Sequence, residues 1–203
     1  MIHEIPTAGI ILAAGASTRF GQPKQLLQLN KRCLLEWVLQ AAINARLKRI
    51  ILVLGYAHRQ IQQALGKKLN HPKLQIKINP HYKDGQSGSL QTGLSCVKDT
   101  YPAAMFLLAD QPLVDAATLN ILLERFWSSP KNICVPSFAG RSGNPCIFSS
   151  YFYPQIMQIG GDIGARRIIQ SNPEQVQEVQ LQNPHIFWDV DTPADLLKIK
   201  ELF

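Results

Sequence analysis

The chain has 203 residues, 46% of them hydrophobic and 17% charged, with a formal net charge of +7. This length and balance suit a single folded α/β domain spanning residues 1–203, and they exclude a disordered chain. No apolar run approaches the ~18 residues of a membrane span, and Met1-Ile2-His3-Glu4 lacks the basic start and long apolar stretch of a signal peptide, so retention in the cytoplasm is expected.

In chain order, Ala8 to Ala13 is a continuous apolar run ending near glycine, which predicts a strand buried on both faces. From Leu34 to Ala45, the residues Leu34, Leu35, Val38, Leu39 and Ala42 share one helical face. Ile50 to Leu54 reads as a second strand, stopped by Gly55, and Ile61 and Leu65 mark a short helix between Ala57 and Leu65. Leu74 to Ile78 alternates as a third strand, and Ser87 to Val97 reads as a helix with serine near its start. Ala103 to Ala109 reads as a central strand. Asp115 is placed to cap the helix carrying Leu119, Leu122, Leu123 and Phe126. Ile133 to Pro136, Pro145 to Phe148 and Val176 to Leu181 read as further strands, and Gly161 to Ile169 as a helix begun by an aspartate. Pro193 opens the last helix, to Leu202, where its missing N–H costs little.

This alternation predicts a three-layer α/β/α, Rossmann-like fold with a mostly parallel central sheet. Ligands of such sheets bind beyond the carboxyl ends of the strands, so the loops after Ala13, Ile78 and Ala109 are the candidate site. Cys33, Cys96, Cys134 and Cys146 form no Cys-x-x-Cys pair and read as reduced, mostly buried thiols. The five histidines form no His-x-x-x-His pair, which argues against zinc. The positive charge favours an anionic ligand; without a nucleic-acid motif, a polyphosphate is favoured over nucleic acid.

The first loop reads Leu12-Ala13-Ala14-Gly15-Ala16-Ser17-Thr18-Arg19-Phe20-Gly21-Gln22-Pro23-Lys24. It is neither a Walker A loop nor a Gly-x-Gly-x-x-Gly fingerprint. Its small residues let backbone approach a ligand, its N–H groups can cradle phosphate, and Arg19 and Lys24 add two cationic arms. Asn79-Pro80 and Gly85-Gln86-Ser87-Gly88-Ser89-Leu90 follow the third strand as turn and helix start. Asp110-Gln111-Pro112 follows the central strand, where a rigid carboxylate suits Mg²⁺. Later come Gly140-Arg141-Ser142-Gly143-Asn144-Pro145, Gly160-Gly161-Asp162-Ile163-Gly164-Ala165-Arg166 and Asp189-Val190-Asp191-Thr192-Pro193-Ala194-Asp195-Leu196. The second of these reads as a glycine-punctuated helix start, a natural anion site.

Taken together and in this order, these segments resemble the signatures of the MobA-like nucleotidyltransferases, and within them the molybdenum cofactor cytidylyltransferase subgroup. The fold implied is of the nucleotide-diphospho-sugar-transferase type. The resemblance implies that Leu12, Ala13, Ala14, Gly15 and Ser17 border the nucleotide, with Arg19 and Lys24 neutralising its phosphates. It implies that Asn79, Gly85 and Ser87 face the base or ribose, and that Asp110 is the main ligand of a Mg²⁺ ion, or Mn²⁺. Asp191 completes that site, with Asp189 as the alternative or a partner behind it. Arg19, Lys24 and Asp110 would carry catalysis. Asn144, Asp162 and Arg166 would meet the acceptor, although Asn144 stands where the subgroup usually has histidine.

The reaction implied is transfer of CMP from CTP to molybdenum-molybdopterin, giving the cytosine dinucleotide and pyrophosphate for a molybdoenzyme or its chaperone. Ala14 resembles the cytidine-using branch; the guanosine-using branch usually has glycine there. Another phosphorylated acceptor, such as a sugar phosphate, and a catalytically silent nucleotide-binding chaperone are the alternatives.

Overall fold

A computed structural model describes residues 4–16, 20–161 and 164–202. In chain order the strands are β1 (Thr7–Ala13), β2 (Gln28–Leu29), β3 (Arg32–Cys33), β4 (Arg49–Leu54), β5 (Leu74–Ile78), β6 (Ala103–Leu108), β7 (Ile133–Phe138), β8 (Arg141–Ser142), β9 (Cys146–Ser149) and β10 (Val176–Gln180). The α-helices are α1 (Leu34–Asn44), α2 (His58–Leu65), α3 (Gln86–Leu94), α4 (Ala116–Trp127), α5 (Tyr153–Ile156), α6 (Arg166–Ser171) and α7 (Pro193–Lys200).

The main sheet runs β10-β7-β9-β6-β1-β4-β5, with β8 beside β7. Its apolar runs lack polar alternation because helices cover both faces. On β1, Ile11 and Ala13 join one core with Leu35, Val38 and Leu39 of α1 and Leu119, Leu122 and Phe126 of α4. Ala8, Ile10 and Leu12 point the other way, into a core with Leu90 and Leu94 of α3, Ile156 of α5 and Ile168 of α6. The fold is therefore the expected α/β/α sandwich. Asp115 caps α4 as read from the sequence, accepting from the Thr118 N–H at 2.8 Å.

Four features differ from the expectation. β9 is antiparallel to both neighbours, β6 and β7. The link from Phe138 to Cys146 is too short for the crossover of a dozen residues that a parallel strand needs; it turns back through Ala139 and Gly140, both at positive φ. The helix expected from Gly161 begins only at Arg166, because Gly161 and Gly164 lie in the left-handed region. The anion-binding helix start expected at the glycines is therefore absent from the described residues. Helix α3 is capped by Gly85 at φ 104°, not by a serine. The two-residue strands β2 and β3 pair as a hairpin outside the main sheet.

That hairpin belongs to a third, small cluster in which Leu27, Leu29 and Leu34 pack with Val190 and Ile199. This cluster docks the C-terminal segment beside the first loop. Among the described residues, no helix is long and apolar enough to cross a membrane.

Candidate active site

The parallel register aligns the carboxyl ends of four strands, with Ala13 opposite Leu54, Leu54 opposite Ile78 and Leu12 opposite Leu108. The loops leaving this edge enclose a cleft of about 970 Å³. Leu12, Ala13, Ala14 and Gly15 line it from the centre, Asp110 and Asp191 from one side, and Tyr82, Gly85, Gln86 and Ser89 from the other.

Lys24 is the hub of the charged side. Its Nζ donates to Asp110 Oδ2 at 2.6 Å, Asp191 Oδ1 at 3.0 Å and the Val190 carbonyl at 3.3 Å. Each group has a structural reason to be there. The Ala109 N–H donates to the Leu12 carbonyl at 3.1 Å, which holds Asp110 against the end of β1. The Val190 N–H donates to the Asp110 carbonyl at 3.0 Å and brings Asp191 alongside. Thr192 and Asp195 form a capping box at the start of α7 and fix the backbone after Asp191. Hydrogen bonds from Thr192 hold the Asp195 carboxyl below its usual range.

Burial works against the Lys24 charge, but Asp110 and Asp191 outweigh it and hold the ammonium above its ordinary pKa. Asp189 is raised, first by burial and further by the charges of Asp191 and Asp110. Asp191, not Asp189, is the residue that meets Lys24 and lines the cleft.

A divalent cation fits this end. Among the described residues Asp110 Oδ1 is buried with no hydrogen-bond partner, and the Asp191 carboxylate is half exposed. Among the described residues no group of three or more His, Cys, Asp or Glu could enclose a metal. Two carboxylates suit an ion that takes its remaining ligands from substrate phosphates and water.

The other sequence-predicted residues divide. Gly85 lines the cleft, whereas Asn79 and Ser87, expected to face the base or ribose, are buried away from it. The Asn79 amide donates to Ser89 Oγ at 3.0 Å and accepts from the His81 N–H at 2.9 Å, so it holds the turn rather than a ligand. Ser89 takes the place facing the cleft. Ser17, Arg19 and Asp162 lie outside the described residues.

Sequence reasoning missed Gln25. It is buried, and its Nε2 donates to the Ala13 carbonyl at 2.8 Å and the Gly15 carbonyl at 3.3 Å, shaping the first loop from behind. Its position next to Lys24 was the available signal.

A second cavity of about 880 Å³ shares Leu12, Gln86 and Leu108 with the cleft. Leu90, Phe106 and Val135 give it an apolar floor, and Asn144, Arg166 and Glu178 lie on its walls. The reversed β9 explains how Asn144 gets there. Cys146 is opposite Phe106, so the loop before β9 emerges at the same edge as the loop after β6.

The family pattern for the MobA-like NTP transferase domain matches residues 9–179. The chain is 30% identical over 193 residues to purine catabolism protein PucB of Bacillus subtilis (strain 168), covering 92% of each. It is 27% identical over 196 residues to the molybdenum cofactor cytidylyltransferase of Escherichia coli (strain K12), covering 96% of this chain and 95% of that one. Among solved structures, Rv0371c of Mycobacterium tuberculosis H37Rv superposes with a TM-score of 0.84 at 28% identity, covering 97% and 98% of the two chains. Its complex with manganese gives a TM-score of 0.82 at 27% identity, covering 98% of this chain and 100% of that one. On the pattern match, the relatives and the shared fold, this chain belongs to the MobA-like NTP transferase family and is a nucleotidyltransferase.

Proposed function

We propose that residues 1–203 act as one MobA-like domain that transfers CMP from CTP to molybdenum-molybdopterin, releasing pyrophosphate. The observation that carries this reading is the meeting of Lys24, Asp110 and Asp191 at one end of a nucleotide-sized cleft that opens into a second, partly apolar cavity. The E. coli relative, named a molybdenum cofactor cytidylyltransferase, supports the acceptor and the base.

In the proposed reaction, a terminal phosphate oxygen of the acceptor bonds to the α-phosphorus of CTP. The bond from that phosphorus to the bridging oxygen breaks, and pyrophosphate carries the electron pair away. No covalent protein intermediate is involved; the protein contributes position and charge. Asp110 and Asp191 would hold Mg²⁺ or Mn²⁺, which when bound neutralises phosphate charge. Lys24 moves from the carboxylates to the leaving phosphates, joined by Arg19. Backbone groups of Ala13, Ala14 and Gly15 border the nucleotide, Gly15 at its phosphates and Ala14 at its nucleoside. Gly85 lies at the nucleoside end. Asn144 and Arg166 orient the acceptor, a role that Asp162 would share, and the product passes to a molybdoenzyme or its chaperone.

The test is pyrophosphate release with CTP, GTP, ATP and UTP in turn, with Mg²⁺ and molybdenum-loaded molybdopterin. Release with CTP alone is expected. Release with GTP overturns the base choice. Release only with another phosphorylated acceptor overturns molybdopterin, and nucleotide binding without release favours a silent chaperone.

Gly15 offers a cleaner probe of the phosphate contact. Among the described residues, its two chain neighbours apart, a Cβ built on it meets no atom within 4 Å. Gly15→Ala is expected to leave thermal stability within about 0.5 kcal/mol of the parent. It should weaken CTP about tenfold, the equivalent of about 1.4 kcal/mol. Thermal unfolding and calorimetric titration check the two halves, and unchanged CTP affinity would move the phosphates away from this loop.

A further inference from the structure

We infer that Gly55, which does not line the cleft, is a positioning residue that sets the width of the cleft's nucleoside end. The inference rests on the reading that the phosphates lie at the Lys24 end, which leaves the nucleoside to the wall formed by Ala14, Tyr82 and Gly85. Gly55 comes directly after β4 and sits buried behind that wall. A Cβ on Gly55 would stand 2.6 Å from Tyr82 Cβ and 2.9 Å from both the Ala14 Cβ and the Ala14 carbonyl oxygen. These are not the loose ends of long side chains. They are the roots of the two residues that face the cleft, and they cannot swing aside without moving their backbones.

Gly55 is absent from the glycines at positive φ. Space, not backbone conformation, therefore explains the glycine. The surrounding hydrogen bonds make the contact stiff. The Tyr56 N–H donates to the Ala14 carbonyl at 3.1 Å, and the Asn79 N–H donates to the Leu54 carbonyl at 2.7 Å. Asn79 then holds the turn that carries Tyr82 through its bond to the His81 N–H. The Tyr82 ring lies against Tyr56, with centroids 6.3 Å apart. Two chain segments thus close on the missing side chain, and both line the cleft.

A methyl at this point drives Ala14 and Tyr82 toward the cleft while leaving Lys24, Asp110 and Asp191 in place. The test compares two probes in Mg²⁺ by calorimetry: CTP, which spans the cleft, and inorganic pyrophosphate, which needs the charged end alone. Gly55→Ala is expected to weaken CTP about tenfold or more, as displacements of this size do in tight sites. Pyrophosphate affinity should stay within about twofold. Equal loss for both probes, or loss for neither, overturns the inference.

If Gly55→Ala does not fold, Tyr82→Ala carries the same comparison. It keeps the Cβ against Gly55 and removes the ring, and it should weaken CTP while sparing pyrophosphate; equal loss again overturns the inference. Wild-type protein that binds pyrophosphate but none of the four nucleoside triphosphates removes the nucleotide reading itself. That result is distinct from CTP binding that Gly55→Ala leaves unchanged.

Discussion

Replacing Lys24 with methionine is expected to tighten Mn²⁺ binding to the nucleotide-free protein while turnover collapses. The two effects point in opposite directions for one reason. The Lys24 ammonium lies 2.6 Å from Asp110 and 3.0 Å from Asp191, the position a divalent ion would take between the same carboxylates. Lysine and metal would therefore compete until triphosphate drew the lysine away. Methionine keeps the aliphatic volume and removes the charge, leaving two carboxylates without a counter-ion. Removing such a competitor is expected to tighten Mn²⁺ by about tenfold or more, about 1.4 kcal/mol. Turnover should fall by about 10²–10³, the usual cost of losing one preorganised charge at a developing anion. Electron paramagnetic resonance of free Mn²⁺ reads the first effect without any turnover. If the variant binds Mn²⁺ no more tightly than the parent, the competition does not exist.

Asp110→Asn should cost activity far more than it costs stability. Asparagine preserves shape but cannot neutralise a divalent ion, so turnover is expected to fall by about 10³ or more. Stability is another matter. Removing one partner of a buried ion pair commonly costs about 3–5 kcal/mol, because the other charge is stranded. Lys24 is not stranded, since Asp191 Oδ1 and the Val190 carbonyl still accept from it. Asp110 also contributes a buried oxygen with no partner among the described residues, which favours the wild-type fold little. A loss of about 1 kcal/mol is therefore expected, read by urea unfolding beside the turnover assay. Near-parental turnover would remove Asp110 from the metal site, and a loss of several kcal/mol would make the pair mainly structural.

The central strands of the main sheet were legible because burial on both faces leaves a simple mark: Ile50 to Leu54 and Ala103 to Leu108 carry no polar alternation at all, whereas the edge strand Leu74 to Ile78 showed itself by alternating. The loops of the charged end were legible for a related reason. A lysine in a small-residue loop and an aspartate just past an apolar strand are conspicuous where sheets bind ligands. Their contact was not, since residues 24 and 110 meet only when β1 and β6 align.

Side-chain direction was harder still. Asn79 and Ser87 stand in the right segment of chain, yet one turns inward to hold the backbone and the other is buried in the first turn of α3. Gln25 was hidden because a buried glutamine looks like any surface glutamine in sequence. The orientation of β9 depended on the length of its link to β7, and the Pro145–Phe148 apolar run carries no sign of direction.

That reversed strand separates the duties of the sheet. The cleft proposed for the nucleotide is built largely from loops at the carboxyl ends of parallel strands, while the cavity proposed for the acceptor draws Ser142, Gly143 and Asn144 from the approach to β9 and Cys146 from its start. The hairpin through Ala139 and Gly140 carries no part of the Lys24, Asp110 and Asp191 cluster. Descendants of such a chain can redesign what is loaded by rebuilding one excursion, and inherit the activating half untouched.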